Sequence, residues 1–170
     1  MKLALVFVSL VAITGRAFAQ TPQTPQHIVG DRVGSHWQMV DASTRTVSDT
    51  ITLSFQGRDG GPVYTVDFIT RHPVREPVPA SSVVDIIVSQ HPPEDDAPVM
   101  TWRVDGETVP IVSRLHGTRS VAATVSLSEF DRLTRAERIV ERAFDAELEF
   151  GPGQLSMLRA LAGTWLGTVR

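Results

Sequence analysis

Residues 100–111 read Met-Thr-Trp-Arg-Val-Asp-Gly-Glu-Thr-Val-Pro-Ile, and they predict a β-hairpin. Apolar side chains alternate with polar ones on both sides of the Asp105-Gly106 pair. An Asp-Gly pair between alternating strands favours a two-residue type I′ turn, in which both central residues have positive φ. Pairing across that turn places Trp102 opposite Val109 on an apolar face. The turn chemistry and the hydrophobic pattern therefore agree on antiparallel β structure.

The same two-residue period extends towards the N-terminus from this hairpin. Apolar residues alternate through residues 51–55 and again through residues 62–70, and the glycine-rich segment 57–61 separates them. This arrangement is typical of a second hairpin. Residues 83–88 form a short apolar run that suits a strand covered on both faces, and residues 119–125 predict a further strand. The central part of the chain is therefore expected to be almost entirely β.

The C-terminal third changes period and predicts two short helices. Ser126-Leu-Ser-Glu129 is a capping box, and apolar residues follow at helical spacing up to position 136. Gly151-Pro152 begins the second helix, because proline is tolerated in a first turn. Gly163 is placed to end that helix.

Between the two predicted helices, residues 139–150 return to alternation and are expected to reverse direction near Asp145. The pattern places Val140, Phe144, Leu148 and Phe150 on one side.

These elements predict one β-rich domain spanning residues 28–170. Eight or nine strands with two short C-terminal helices indicate an antiparallel β-sandwich, or a strongly curved antiparallel sheet with the helices packed on it. The chain has 170 residues and no cysteine. The domain must therefore be stabilised by its hydrophobic core without disulfides, and the sequence offers no thiolate ligand or cysteine nucleophile.

The first 19 residues predict a cleaved signal peptide. Lys2 supplies a positive charge, an apolar stretch follows, and Ala17-Phe-Ala19 provides the small residues of a cleavage site after Ala19. The apolar stretch is too short for a permanent membrane span. Residues 20–27, Gln-Thr-Pro-Gln-Thr-Pro-Gln-His, predict an extended spacer because proline recurs every third residue. The sequence therefore predicts a periplasmic or secreted protein without a permanent membrane span.

The charge balance argues against nucleic acid as a partner. The net charge of the whole chain is −3, and removal of Lys2 and Arg16 with the signal peptide lowers it to −5. A protein that binds nucleic acid through its backbone phosphates needs a basic surface. Every other basic residue is arginine and asparagine is absent. This composition is typical of a GC-rich bacterial genome, and it favours a bacterial periplasm over a glycosylated eukaryotic secretory route.

The order of elements in the C-terminal half resembles a known family. A strand ends in Val104-Asp-Gly106, a second strand contains Pro110, and a loop leads to Ala122-Ala123 before the helix, strand and leucine-spaced helix described above. This layout, over residues 98–162, is similar to that of bacterial periplasmic proteins of the invasion-associated locus B type. Trp37 extends the likeness faintly towards the N-terminus. The resemblance implies a small exported β-sandwich protein linked to host-cell invasion or envelope stress. It supplies no catalytic residue, and this chain lacks the cysteine pairs of that family.

One loop carries a candidate metal site. His91 lies close in sequence to Glu94, Asp95 and Asp96, and imidazole and carboxylate groups can together bind a divalent cation. The spacing is not that of an EF-hand loop, and a solvated acidic loop is the alternative interpretation. If the site exists, the protein is a metal-binding protein or a metal-dependent enzyme.

No recognised catalytic motif is present in the sequence. There is no Gly-x-Ser-x-Gly, and the nearest approach to a triad is Ser35-His36 with Asp41, where adjacent strand residues point to opposite faces. We therefore expect a non-enzymatic envelope protein that binds another protein or a small ligand through loops and a sheet edge.

Two tryptophans are placed by the pattern around them. Trp37 is expected in the core. Trp165 follows the second predicted helix, and it either plugs one end of the sandwich or is presented to a partner.

Overall fold

The computed structural model describes residues 25–32, 34–91, 100–117 and 120–167. These residues form eleven strands and two α-helices, with a short 3-10 turn at Arg58–Gly60. The strands are β1 (Gln26–Val29), β2 (Ser35–Asp41), β3 (Thr46–Gln56), β4 (Val63–Pro73), β5 (Val83–His91), β6 (Thr101–Val104), β7 (Glu107–Val109), β8 (Ser113–Leu115), β9 (Ser120–Ser126), β10 (Ile139–Ala143) and β11 (Ala146–Glu149). The helices are α1 (Leu127–Thr134) and α2 (Pro152–Trp165).

The strands form two sheets that pack as a β-sandwich, as the sequence predicted. The five-stranded sheet has the order β1-β11-β10-β6-β7, and the six-stranded sheet has the order β2-β3-β4-β5-β9-β8. Neighbouring strands are antiparallel except β1 and β11, which are parallel. We call the face of the six-stranded sheet that packs on the rest of the protein its inner face, and the opposite face its outer face.

The hairpin at residues 100–111 forms with the predicted register. Trp102 pairs with Val109 across β6 and β7. Asp105 has φ 51° and Gly106 has φ 89°, so both central residues adopt the left-handed conformation that a type I′ turn requires. The hairpin between β3 and β4 also forms, with Phe55 opposite Tyr64.

The core lies between the inner faces of the two sheets and under the helices. Trp102 is fully buried and meets Phe68 and Phe150 edge-on, with ring centroids 6.3 and 5.8 Å away. Such edge-to-face pairs add to the stabilisation that apolar burial gives. Phe130 of α1 packs on Phe68 with centroids 5.5 Å apart, which attaches the helix to the same cluster.

Both helices begin where the sequence predicted. The Ser126 hydroxyl accepts from the Glu129 N–H at 3.2 Å, and the Glu129 carboxylate accepts from the Ser126 N–H at 2.8 Å, which completes the capping box. The second helix starts at Pro152, but it continues through Gly163 to Trp165, so the prediction that Gly163 ends it was wrong. A Cβ on Gly151 would lie 1.9 Å from the carbonyl oxygen of Gly30, so only glycine fits at this helix start.

Two further details differ from the sequence predictions. Trp37 is 47% exposed, because β2 is an edge strand and Trp37 lies on the outer face, which no described element covers. In the run 139–150, Glu141 rather than Val140 lies opposite Leu148 and shares its side of the sheet. The tight turn after β10, where Phe144 has φ 56°, shifts the alternation by one residue.

No helix in the described part of the chain is long and apolar enough to cross a membrane.

Candidate functional site

A groove of about 830 Å³ opens between the β6–β7 hairpin of the five-stranded sheet on one side and β9 and α1 on the other. Most of residues 104–112 line one side, including the β6–β7 turn, β7 and the connection to β8. Thr124 and Val125 of β9 and the face of α1 that carries Glu129, Arg132 and Leu133 line the other. This volume lies in the range that binding sites for small ligands and short peptide segments occupy. We refer to this feature as the β7–α1 groove.

The hairpin wall of the groove is fixed by the Asp105 side chain. One carboxylate oxygen of Asp105 accepts hydrogen bonds from the backbone N–H groups of Glu137 and Arg138, at 2.9 and 2.8 Å. The Asp105 N–H donates in turn to the Arg138 carbonyl at 2.9 Å. These bonds tie the turn to the segment that follows α1. The two walls are therefore connected at this end, and the groove is expected to keep its width.

The chain leaves the sheet at Pro110 and forms the rim of the groove. Proline lacks the N–H that would continue the ladder, so β7 ends at Val109. The Ile111 N–H donates to the Val109 carbonyl at 3.0 Å, which turns the chain towards the other sheet. Val112 follows with 89% of its surface exposed. The rim therefore presents an apolar side chain to solvent.

The opposite wall is the exposed side of α1. Leu133 contributes a mostly buried apolar surface, and Arg132 contributes a guanidinium group. Glu129 is engaged in the capping box, and the hydrogen bonds from Ser126 lower the pKa of its carboxyl. The groove thus combines an apolar lining with three carboxylates, those of Asp105, Glu107 and Glu129, against one arginine.

Comparisons of the chain with protein-family models, with curated proteins and with solved structures find no match. The resemblance to the invasion-associated locus B type therefore stays a prediction, and the functional argument rests on the geometry of the site.

His91, the described residue of the predicted metal site, does not line the groove. His91 is the last residue of β5, where it is exposed and opposite Val63 of β4. Glu94, Asp95 and Asp96 lie outside the described residues. Within the described ranges, no group of three or more His, Cys, Asp or Glu side chains is placed to hold a metal ion. The metal interpretation of this loop stays a prediction.

Trp165 is placed in the interior. It is 2% exposed, its ring packs on Phe130 with centroids 5.2 Å apart, and its indole N–H donates to an Asp49 carboxylate oxygen at 3.0 Å. In this structure the side chain fills the space between α2 and the six-stranded sheet. It is not presented on the surface, so the structure offers it no contact with a partner.

The Asp49 carboxylate organises a polar cluster that the sequence analysis missed. Besides Trp165, it accepts from the Gln38 amide at 3.0 Å and forms a short contact with the His36 ring. His36 does not meet Asp41, in agreement with the argument from the sequence against a triad of Ser35, His36 and Asp41. The Asp41 carboxylate instead accepts hydrogen bonds from Ser43 and Thr44 in the β2–β3 turn, and these lower its pKa to about 2.

A second missed feature is a carboxyl group in the core. Glu141 of β10 is fully buried and lies directly opposite Trp102 of β6. No described residue donates to its carboxyl oxygens, and none accepts from the Trp102 indole N–H. Burial raises the pKa of Glu141 well above its ordinary value, because no neighbouring charge compensates the ionised form. Burial therefore favours the protonated form of this carboxyl in the folded protein.

Proposed function

We propose that this protein is a non-enzymatic binding protein of the bacterial envelope, and that its β7–α1 groove holds a short segment of another envelope protein. The observation that carries the proposal is the groove itself, an open cleft of about 830 Å³ whose lining combines apolar side chains with polar and charged ones. Concave sites with such a lining are where proteins usually bind their ligands.

The shape of the groove favours an extended polypeptide as the occupant. The groove runs alongside β7, which forms one edge of its sheet. Val104 and Glu107 flank the two-residue turn and form a hydrogen-bonded pair. Hydrogen-bonded and non-hydrogen-bonded pairs alternate along an antiparallel ladder, so the next pair, Arg103 and Thr108, is not hydrogen-bonded. The backbone N–H and carbonyl of Thr108 therefore face the free edge. An extended segment can bond to these groups while its side chains enter the apolar lining.

The charges of the groove favour a segment with a positive charge beside its apolar residues. Glu107 is exposed at the rim, and the other two carboxylates of the groove outweigh the single guanidinium of Arg132. An arginine or lysine of the partner would be attracted to this rim.

Site-specific photo-crosslinking tests the proposal. A benzoylphenylalanine at Val112, in cells that naturally make the protein, is expected to yield one protein adduct of defined mass. The same group at Thr44, in the exposed β2–β3 turn, is the matched control and should not yield it. Ile111→Glu adds a carboxylate to the apolar lining and should reduce the adduct at least about tenfold, an effect of about 1.4 kcal/mol.

The variant Val29→Glu controls for added charge, because Val29 is an exposed apolar residue of β1. It should leave the Val112 adduct unchanged. An identical adduct from Thr44, or an adduct that persists in folded Ile111→Glu, would show that the groove is not the binding site. Absence of any protein adduct at Val112 would refute the proposed function.

A further inference from the structure

Three of the four sheet edges that the described strands leave are too short, or too interrupted by proline or arginine, for continuous pairing with a long strand of another copy. β1 has four residues and directly follows Pro25, β7 has three and is followed by Pro110, and β8 has three with Arg114 at its centre. Short edge strands, proline and basic side chains are the usual means by which proteins prevent edge-to-edge association.

The fourth edge, β2, has none of these protections. It has seven residues, contains no proline, lysine or arginine, and its only acidic residue is Asp41 at its end. All seven residues are exposed. Trp37 and Met39 project from the outer face with 47% and 57% of their surfaces exposed. A long apolar edge of this kind is unfavourable in water unless another strand pairs with it.

We propose that β2 pairs antiparallel with β2 of a second copy of this chain, about a two-fold axis that passes through Gln38. The two six-stranded sheets would then form one continuous sheet of twelve strands. The contact is isologous, so it closes at the dimer and leaves no β2 edge open.

The sequence of β2 is self-complementary in this register. On the outer face, Trp37 of each copy lies opposite Met39 of the other, and contacts between methionine sulfur and an aromatic ring are favourable. On the inner side, His36 lies opposite Val40. Opposed residues project to the same face in an antiparallel pair, so both sheets keep their inner and outer sides aligned.

The charge on β2 selects this orientation. Hydrogen bonds from Ser43 keep the pKa of Asp41 low, so its carboxylate is ionised at neutral pH. In the antiparallel pair Asp41 lies opposite Ser35, and the two Asp41 residues are about 20 Å apart along the strands. A parallel pair in the same register would place Asp41 beside Asp41, and like charges in that position are destabilising.

The proposed dimer does not depend on the proposed binding function. β2 and β8 lie at opposite edges of the six-stranded sheet, and the β7–α1 groove lies at the β8 end. Pairing through β2 therefore leaves both grooves open. Each of the two proposals can fail without the other.

Sedimentation velocity of the protein purified from cells that express the full-length sequence tests the proposal. The wild type is expected to sediment as a dimer. In the double variant Trp37→Glu/Met39→Glu, position 37 of each copy faces position 39 of the other, so two pairs of carboxylates face each other across the contact. The dimer dissociation constant should rise at least about tenfold. Both side chains are exposed, so the circular dichroism of the variant should match that of the wild type. Val112→Glu/Leu115→Glu adds the same charge to other exposed apolar positions and should remain dimeric.

A complementary pair of variants tests the register. Trp37→Arg/Met39→Arg should also be monomeric alone, and it should form a one-to-one heterodimer with the glutamate variant because position 37 of one copy faces position 39 of the other. A wild type that stays monomeric at every concentration would overturn the proposal. So would open-ended oligomers, a dimer that survives the glutamate substitutions, or the absence of the heterodimer.

Discussion

The buried carboxyl group of Glu141 makes the stability of this protein depend on pH. In the unfolded chain the carboxyl loses its proton near the ordinary value of 4.5, whereas burial raises its pKa in the folded protein. Above about pH 4.5 the folded state therefore binds more protons at this carboxyl than the unfolded state does. A group whose pKa is higher in the folded than in the unfolded protein contributes its full stabilisation below the unfolded pKa, and this stabilisation is lost as the pH rises. Glu141 therefore lowers the free energy of unfolding as the pH approaches neutrality.

The size of the effect follows from the proton count. Each pH unit over which Glu141 stays protonated only in the folded state costs about 1.4 kcal/mol. Domains of this size have total stabilities of about 5–15 kcal/mol, so the loss over one such pH unit is a measurable fraction. It corresponds to a fall in Tm of roughly 3–6 °C.

The variant Glu141→Gln isolates this contribution, because glutamine has nearly the same shape and does not titrate. Urea unfolding at pH 5.5, 6.5 and 7.5 should show the variant gaining stability relative to the wild type as the pH rises, by up to about 1.4 kcal/mol per pH unit. Any cost of burying the amide is a constant offset and does not change this slope. Glu137→Gln, at an exposed position after α1, is the matched control and should show no such gain.

The reasoning would be refuted by a difference between Glu141→Gln and the wild type that does not change with pH. It would also be refuted by a wild type that gains on the variant as the pH rises. Either result would mean that Glu141 is ionised and stabilised in the folded protein.

Three further predictions concern the core, the hairpin and the metal loop. Trp165→Phe removes a donor from a buried carboxylate and should lower the free energy of unfolding by about 1.5–3 kcal/mol, whereas Trp37→Phe, at an exposed position, should change it by less than about 0.5 kcal/mol. Gly106→Ala should lower the free energy of unfolding, measured in urea, by about 1–2 kcal/mol. The loss comes from the strain of a positive φ alone, because an added Cβ meets no atom within 4 Å. If the metal interpretation is right, His91→Ala/Asp95→Ala abolishes zinc uptake measured by calorimetry, and unchanged uptake in this double variant would eliminate it.

The features that the sequence predicted correctly are determined by neighbouring residues. The type I′ turn depends on Asp105 and Gly106, which tolerate positive φ, and the start of α1 depends on two side chains three positions apart. Alternation over residues 51–55 was long enough to give the right inner face for β3. Local chemistry and period therefore sufficed for the fold class, for the existence of both hairpins and for the register of the hairpin around Asp105-Gly106.

The features that the sequence missed depend on contacts between distant residues. The exposure of Trp37 follows from the position of β2 at a sheet edge, and strand order is not visible in the periodicity of one strand. Glu141 faces the core because the turn at Phe144 shifts the alternation, and a polar residue at that position suggests the wrong face. The β7–α1 groove joins two segments separated in the chain, so no single motif could have indicated it.

Native mass spectrometry of the protein, purified without chelators from cells that naturally make it, is the sharpest test of whether the β7–α1 groove binds another protein. We expect the wild type to retain a polypeptide of defined mass and Ile111→Glu, purified in the same way, to lose it. A wild type that carries no polypeptide, or an Ile111→Glu variant that carries the same one, would contradict the claim that the groove binds another protein.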